Sequence, residues 1–240
     1  METITISEIF GPTIQGEGPY AGHPSVFVRL GRCNLDCKWC DTPYTWDWKG
    51  KNGIVFDPAV ELKKMAIEEV IDEIRKNSSG NLNERLIITG GEPLLQRNGL
   101  EKLVHEIYED DEIPIDIETN GTRPPLFANG VTYVVSPKIS SSGVKWNNKW
   151  YESLSKLGEK SAEGYAFLKF VVCDEQDIIE INHIVKETIW VPWTVYLMPE
   201  GRTEKELNQN TERVSDLVLK HGYLYSDRLH VRLWGDERGH

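Results

Sequence analysis

Three of the chain's four cysteines stand close together, as Cys33, Cys37 and Cys40 in the spacing CxxxCxxC. Three thiols packed this closely in sequence cannot all be ordinary core residues, because their side chains converge on a common centre. They are one short of the four protein ligands of a closed zinc or iron–sulfur site. The spacing therefore predicts a metal centre with one coordination position open to a ligand from outside the chain.

Two kinds of centre fit these cysteines. They could bind three irons of a 4Fe–4S cluster and leave the fourth iron free. Alternatively, Cys173 or a histidine could complete a structural zinc site. The spacing alone does not decide between the two.

The composition of the chain limits the classes of molecule that it can bind. The 240 residues are 39% hydrophobic and 27% charged, as in soluble globular proteins, and carry a net charge of −11. Such an acidic chain is a poor binder of nucleic acid, so a small-molecule substrate is favoured. We see neither a secretory signal nor a run of about 18 apolar residues, so we expect no membrane association. Clustered cysteines that are not needed as disulfides fit a reducing cytoplasm.

Runs of β-branched residues alternate with amphipathic stretches along the chain. The expected strands are 25–30, 85–89, 113–119, 131–136, 165–172, 193–198 and 229–234. The expected helices are 58–76, 100–108, 150–157, 177–188 and 204–221, the fourth of them opened by Asp174. The stretch 8–18 contains glycine and proline and is expected to be a loop.

This order predicts an α/β fold with a parallel sheet. Roughly six β-then-α units form an incomplete (β/α)6 barrel, since a full eight-unit barrel takes about 250 residues. A long loop at 41–56 is inserted after the first of these strands. We expect a single domain over 1–240, with its working loops at the carboxyl ends of the strands.

Further motifs follow predicted strands or precede them. The TGGEP motif at 89–93 comes directly after a strand, and its glycines let the backbone approach a ligand closely. Alone, however, a Gly-Gly pair is often only a turn, and EIFGPTIQGEG at 8–18 is equally uninformative by itself. Arg29 is either a solvated strand charge or a partner for a substrate carboxylate.

Taken together, these motifs resemble a known family. CxxxCxxC with Trp39 before the last cysteine, followed by TGGEP, is similar to the signature of the radical S-adenosylmethionine (SAM) superfamily. EIFxxxxQGEG, FVRLxxCNLxCxWCDT and TGGEP, in that order, resemble the 7-carboxy-7-deazaguanine synthase family. The similarity continues through IETNG at 117–121, VSPK at 135–138 and LKFVV at 168–172, and ends with LWGDERG.

The resemblance implies a radical SAM fold and a lyase reaction. In that family, 6-carboxy-5,6,7,8-tetrahydropterin becomes 7-carboxy-7-deazaguanine with ring contraction and loss of ammonia, on the route to deazapurines such as queuosine and archaeosine. A reduced 4Fe–4S cluster cleaves SAM, the 5′-deoxyadenosyl radical takes a hydrogen from the pterin, and SAM is regenerated. The family also implies Mg²⁺, a reductant such as flavodoxin or ferredoxin, and a homodimer.

The resemblance also assigns expected roles to residues. The cluster ligands are Cys33, Cys37 and Cys40, and Thr42 contacts Mg²⁺. The expected substrate contacts are Ile14, Gln15, Gly16, Glu17, Arg29, Thr89 and His230. The expected SAM contacts are Trp39, Gly91, Glu92, Glu118, Ser136, Pro137, Lys138, Asp174 and Gln176.

Two other functions share parts of this pattern. A radical SAM activase, which forms a glycyl radical on another protein, has the same cysteine spacing but gives no reason for QGEG upstream of Arg29. A zinc-binding module without catalysis would be colourless and would not respond to dithionite.

Overall fold

The computed structural model describes residues 2–110, 113–126 and 128–240, and one nine-stranded sheet organises them. Its strands are β1 (Thr3–Ile14), β2 (Pro24–Leu30), β3 (Lys63–Ala66), β4 (Arg85–Gly90), β5 (Ile115–Thr119), β6 (Val131–Val135), β7 (Ala166–Val172), β8 (Val195–Pro199) and β9 (Leu224–Tyr225). They lie in the order β3-β1-β2-β4-β5-β6-β7-β8-β9. From β2 to β9 every neighbouring pair is parallel, whereas β1 is antiparallel to both β2 and β3.

Helices connect most of the parallel strands. They are α1 (Pro58–Glu61), α2 (Ile67–Asn77), α3 (Arg97–Asp110), α4 (Trp150–Gly158), α5 (Glu175–Glu187), α6 (Glu204–His221) and α7 (Leu229–Trp234). Between β5 and β6 the described residues contain no helix. Because β3 and β9 form two separate sheet edges, the architecture is the predicted incomplete barrel. No helix among the described residues combines the length and the apolar character needed to cross a membrane.

The two faces of the parallel strands have different partners. In β2, Val26, Val28 and Leu30 belong to the large core shared with the helices, while Phe27 belongs to a separate small cluster with Phe10 and Ile87. Successive side chains of a strand alternate between faces, so the second cluster lies on the inner face of the sheet. Both faces are therefore buried over much of their length, which explains the long apolar runs in these strands.

Several predicted elements are confirmed. Helix α6 has the predicted bounds of 204–221, because Thr203 caps its start in a capping box with Glu206 and Gly222 follows its end. Helix α5 begins after Asp174, whose side chain accepts hydrogen bonds from the backbone of Gln176 and Asp177. The predicted strands from 25–30 to 193–198 correspond to β2 and β4–β8, with shifts of a few residues at their ends.

The prediction of a loop at 8–18 was wrong for most of that stretch, because β1 continues to Ile14. Gly11 and Pro12 favoured a loop, but they lie where the pairing register between β1 and β2 shifts, between Phe10 and Thr13. Strands tolerate both residue types at such irregularities. Only the QGEG part of the motif lies beyond the strand.

The prediction of one helix over 58–76 was also wrong. The stretch forms α1, β3 and α2 in succession. Residues Lys63–Ala66 pair with Thr3–Ile6 of β1, so hydrogen bonds to another strand outweigh the helical spacing of apolar residues.

The prediction of a last strand at 229–234 was wrong as well. These residues form α7, and the last strand is β9. Leu229, Val231 and Leu233 alternate as in a strand, yet Val231 is buried while Leu233 is 51% exposed. Alternation over six residues did not distinguish a strand from a short helix.

Candidate functional site

A cavity of about 440 Å³ lies at the carboxyl ends of the parallel strands. Its walls come from the turn between β1 and β2, the cysteine loop after β2, the ends of β4 to β8, and residues 235–240 after α7. The three clustered cysteines, Thr42 and all of the expected substrate contacts line this one cavity. The structure thus brings together residues that lie more than 200 positions apart.

Backbone hydrogen bonds hold the cysteine loop on two sides. Arg32, which has a φ of 75°, donates its N–H to the carbonyl of Thr45 at 2.7 Å and accepts at its own carbonyl from the N–H of Glu92 at 2.8 Å. The first bond ties the loop to the inserted segment 41–56, and the second ties it to the GGE turn, which is formed by residues 90–92 of the TGGEP motif. The cysteines are therefore positioned by both neighbours.

The GGE turn requires glycine because it lies against the cysteine loop. A Cβ atom at Gly91 would lie 2.0 Å from the carbonyl oxygen of Arg32, a distance that excludes any larger residue. The side chain of Glu92 is fully buried and accepts hydrogen bonds from the backbone of Leu94 and Asn120 and from the hydroxyl of Thr119. Glu92 therefore fastens the turn to the end of β5 from below the cavity.

The donor set fits an iron–sulfur cluster. All three thiols are free, and burial raises the pKa of each, that of Cys33 to about 12. Such clusters take thiolate sulfur ligands, one for each iron. In the described ranges no three His, Cys, Asp or Glu side chains are grouped to hold a single ion, but cysteines that bind separate irons need no such grouping.

Polar groups already point at the cysteine sulfurs. The indole N–H of Trp46 donates to the Sγ of Cys40 at 3.2 Å, and the backbone N–H of Leu35 donates to the Sγ of Cys33 at 3.5 Å. The hydroxyl of Thr42 lies 3.8 Å from the Cys40 sulfur. The expected Mg²⁺ contact and a cluster ligand are thus immediate neighbours.

Glu118 is the centre of a hydrogen-bond network on the inner face of the sheet. One carboxylate oxygen accepts from the side-chain amide of Gln15 at 3.2 Å and lies 3.5 Å from the Nζ of Lys169. The other accepts from the hydroxyl of Thr89 at 3.0 Å. Glu118, which is expected to contact SAM, thus accepts hydrogen bonds from Gln15 and Thr89, two residues that are expected to contact the substrate.

Glu17 is held between two cations. Its Oε2 is 2.5 Å from the Nζ of Lys169, its Oε1 accepts from the Nε of Arg228 at 2.8 Å, and His230 lies 3.8 Å away. Burial alone would raise the pKa of Glu17, but these three groups hold it well below its ordinary value. The carboxylate is therefore ionised at neutral pH and keeps lone pairs for N–H donors of a ligand.

Arg29 lines the cavity and forms a hydrogen-bonded ion pair with Glu8. Its Nε donates to Glu8 at 2.7 Å, and the hydroxyl of Tyr44 donates to the same oxygen at 2.8 Å. Its side chain is only 16% exposed, which excludes the alternative of a solvated strand charge. The remaining guanidinium nitrogens are the groups with which Arg29 can meet a carboxylate.

The expected SAM contacts divide into two groups. Trp39, Gly91, Glu118, Ser136 and Lys138 line the cavity, with the Nζ of Lys138 donating to Ser136 at 2.7 Å and lying 5.5 Å from the Trp39 ring centre. The residues outside the lining are Glu92, Pro137, Asp174 and Gln176. Contact with SAM stays a prediction for all nine residues, and Asp174 has a visible role as the cap of α5.

Among the charged residues of the site that sequence reasoning missed are Lys169, Arg228 and Asp41. A signal was available for Lys169, which is the one charged residue in the apolar strand AFLKFVV and is 4% exposed. Arg228 and Asp41 lie in loops where charged residues are ordinary, so nothing local distinguished them.

Comparison with known proteins gives a consistent result. A family model described as the radical SAM superfamily matches residues 28–151. A 7-carboxy-7-deazaguanine synthase of Pyrobaculum aerophilum is 34% identical to this chain, covering 98% of it and 97% of its own length. A synthase of Hyperthermus butylicus is 35% identical, covering 95% of this chain and 92% of its own length.

A solved structure shares the fold. The crystal structure of QueE from Escherichia coli superimposes with a TM-score of 0.68 over 95% of each chain, at 23% sequence identity. The expected radical SAM fold is therefore confirmed by the sheet topology, the family match and this solved structure. Because the similarity to the synthases extends over nearly the whole sequence, the chain belongs to the 7-carboxy-7-deazaguanine synthase family of the radical SAM superfamily.

Proposed function

We propose that this protein converts 6-carboxy-5,6,7,8-tetrahydropterin into 7-carboxy-7-deazaguanine. One observation carries the proposal: a single cavity is lined by the three cysteines, the GGE turn and the polar residues of the QGEG segment. Relatives that are 34% and 35% identical to this chain over more than nine-tenths of their length are named for that product. Neither the activase nor the zinc module accounts for a polar substrate pocket beside the cysteines.

The residues divide the cavity into two halves. Cys33, Cys37 and Cys40 would hold the 4Fe–4S cluster, which with SAM bound supplies a carbon-centred radical. Lys138, an ammonium group beside Ser136, is placed to meet a carboxylate, and Trp39 offers an aromatic face. This half of the cavity suits the amino-acid and adenine parts of SAM.

The other half suits a pterin. Glu17 presents an ionised carboxylate to paired N–H donors, as the amino-pyrimidine edge of a pterin offers. Gln15 donates to Glu118 and accepts from the backbone of Glu17, which fixes the orientation of its amide. Arg29 also lines the cavity and would bind the substrate carboxylate, and His230 borders Glu17.

The remaining expectations belong to the same proposal. Thr42 would contact a Mg²⁺ ion that bridges to the substrate carboxylate, since Mg²⁺ often takes few protein ligands and several waters. A flavodoxin or ferredoxin would reduce the cluster, the protein would act as a homodimer in the cytoplasm, and residues 1–240 would form one domain. The single continuous sheet supports the last of these.

The decisive experiment is anaerobic reconstitution with iron and sulfide, followed by incubation with SAM, dithionite and the carboxy-tetrahydropterin. We expect the deazaguanine product, detected by mass spectrometry. Cleavage of SAM without this product would reject the proposal, and a colourless protein with one zinc would support the zinc module instead.

A substitution at Arg29 tests the substrate half separately. In Arg29→Ala we expect the cluster absorbance to be unchanged and turnover to fall by about tenfold or more, because a charge-assisted contact to the carboxylate is lost. Loss of the cluster in this variant would show that Arg29 is structural.

A further inference from the structure

All three guanidinium nitrogens of Arg228 donate hydrogen bonds to other parts of the protein. It lies just before α7 and is 7% exposed. Its Nε donates to Glu17 at 2.8 Å, its Nη1 to the carbonyl of Gly201 at 2.8 Å, and its Nη2 to Asp41 at 2.5 Å. A rigid fork that makes three bonds in three directions fixes its partners relative to one another.

The partners of Arg228 come from three separate parts of the site. Asp41 directly follows Cys40 in the cysteine loop, Glu17 belongs to the QGEG segment, and Gly201 follows β8. A backbone bond from Leu229 to the carbonyl of Gly16, at 2.9 Å, reinforces the connection to QGEG. Arg228 is thus a direct bridge between the two halves of the cavity.

The charges make this bridge necessary. Glu17 and Asp41 are both carboxylates, and the guanidinium group of Arg228 contacts both of them. Besides Arg228, the cations facing Glu17 are Lys169, which is shared with Glu118, and His230. Without Arg228, the buried carboxylate of Glu17 would lose a cationic partner and would face the carboxylate of Asp41, whose side chain is 45% exposed, with no cation between the two.

We propose that Arg228 is a positioning residue that holds the substrate-binding carboxylate of Glu17 at a fixed place relative to the cysteine loop. The inference rests on the proposed function. A pterin bound to Glu17 is then held in register with SAM bound beside Cys40, as hydrogen transfer over a short distance requires. Loss of Arg228 weakens substrate binding and also lets SAM be cleaved without productive transfer.

The test uses Arg228→Gln and Arg228→Lys in the reconstituted enzyme. Two quantities are measured: KM for the pterin, and the number of 5′-deoxyadenosine molecules released per molecule of product. The second quantity does not depend on the fraction of folded enzyme, so general damage does not alter it. Because coupled turnover regenerates SAM, wild-type enzyme should release little 5′-deoxyadenosine.

We expect Arg228→Gln to raise KM by about tenfold or more and to increase 5′-deoxyadenosine per product several-fold, with the cluster spectrum unchanged. Arg228→Lys keeps the charge but not the fork, so it should lie between wild type and Arg228→Gln. Arg85→Lys is the matched control. Arg85 donates two hydrogen bonds of 2.6 Å to the buried carboxylate of Asp116, and it lies outside the cavity lining. This variant should lower stability without changing the ratio.

Other outcomes would overturn the inference. An unchanged KM and ratio, with only a lower unfolding temperature, would make Arg228 a scaffold residue, and loss of the cluster would place its role in the cysteine loop alone. Absence of product from wild-type enzyme would reject the proposed function itself, which separates the two failures.

Discussion

At the scale of single residues, the site contains charged side chains at buried positions, where the surroundings disfavour ionisation. Lys169 occupies an inward position of an otherwise apolar strand, and Glu17 meets it from the turn between β1 and β2. Removing either partner from such a pair leaves an uncompensated buried charge, which costs several kcal/mol. The pair therefore links the stability of the fold to the ionisation of the substrate pocket.

The first prediction concerns Lys169→Met. We expect the free energy of unfolding to fall by about 3 kcal/mol, because Glu17 loses one of its two strong cationic partners. In the wild type, the pKa of Glu17 is held below its ordinary value of 4.5, so its contribution to stability is present above that pH and is lost only as pH falls through the lowered pKa. In the variant the pKa of Glu17 should be higher. The free energy of unfolding of the variant should therefore begin to fall at a higher pH as the solution is acidified.

Urea unfolding at a series of pH values checks both points. Lys76→Gln is the control, since Lys76 is an exposed lysine paired with Glu73 on one helix, and its replacement should change stability negligibly. If the free energy of unfolding depends on pH in the same way in Lys169→Met and wild type, then Lys169 does not lower the pKa of Glu17.

The second prediction concerns the hydrogen bond from Trp46 to the Cys40 sulfur. Hydrogen bonds to cluster sulfurs favour the reduced, more negative state. Trp46→Phe removes a bond worth about 1 kcal/mol and should lower the reduction potential by about 40 mV. A redox titration followed by electron paramagnetic resonance measures it, and Trp48→Phe, outside the cavity lining, is the control. An unchanged potential in Trp46→Phe would mean that the bond does not persist once the cluster is bound.

At the scale of elements, the C-terminal segment 235–240 closes one side of the cavity. Arg238 fastens it by a hydrogen bond to Glu61 at 3.1 Å, by an ion pair with Glu8 at 3.7 Å, and by lying 3.6 Å above the ring of Tyr44. Asp236 adds an ion pair with Arg202 at 2.5 Å. The segment is therefore tied to the same Glu8 that pairs with Arg29.

The third prediction is that Arg238→Ala loosens this segment. We expect faster proteolysis after Trp234 and a several-fold higher KM for the pterin, because the pocket wall is no longer fixed and water enters more readily. Arg213→Ala on exposed α6 is the control. If cleavage and KM both match the wild type, the remaining contacts of the segment hold it without Arg238.

Elements with clear end signals were predictable from sequence, and those decided by distant partners were not. Thr203, Glu206 and Gly222 fixed α6, whereas Lys63–Ala66 became a strand only because the antiparallel β1 lies beside it. The same division holds in the site. The cysteines and the GGE turn carry local motifs, but Arg228 acquires its role from partners 187 and 211 positions away.

At the scale of the whole molecule, positive charge is concentrated near the cysteines. The segments 32–54 and 138–150 contain seven basic and three acidic residues, a net of +4, in a chain of net charge −11. The three acidic residues are already engaged: Asp36 pairs with Lys51, Asp41 with Arg228, and Asp47 with backbone N–H groups of its own loop. We therefore expect the face around the cysteines to attract acidic proteins.

The fourth prediction follows for an acidic flavodoxin as reductant. Reversing the charge at Lys49, Lys145 and Lys149 together should slow cluster reduction by the flavodoxin by about tenfold at low salt, and added salt should shrink the difference. Reduction by dithionite should change much less. Lys205→Glu on α6 is the control, and equal slowing by that variant would mean that overall charge rather than this face controls the encounter.

The residues that Arg228 connects lie far apart along the chain. This separation affects the order in which the parts of the site become available during synthesis. The cysteine loop, the GGE turn and the Ser142 carbonyl that accepts a hydrogen bond from the Lys38 backbone all precede residue 143, while Arg228 is synthesised 86 residues after Ser142. Contacts of such long sequence separation form only after the intervening chain is available. A growing chain thus contains all the cluster ligands well before Glu17 can be fixed, so its metal ligands emerge ahead of its ability to select a substrate.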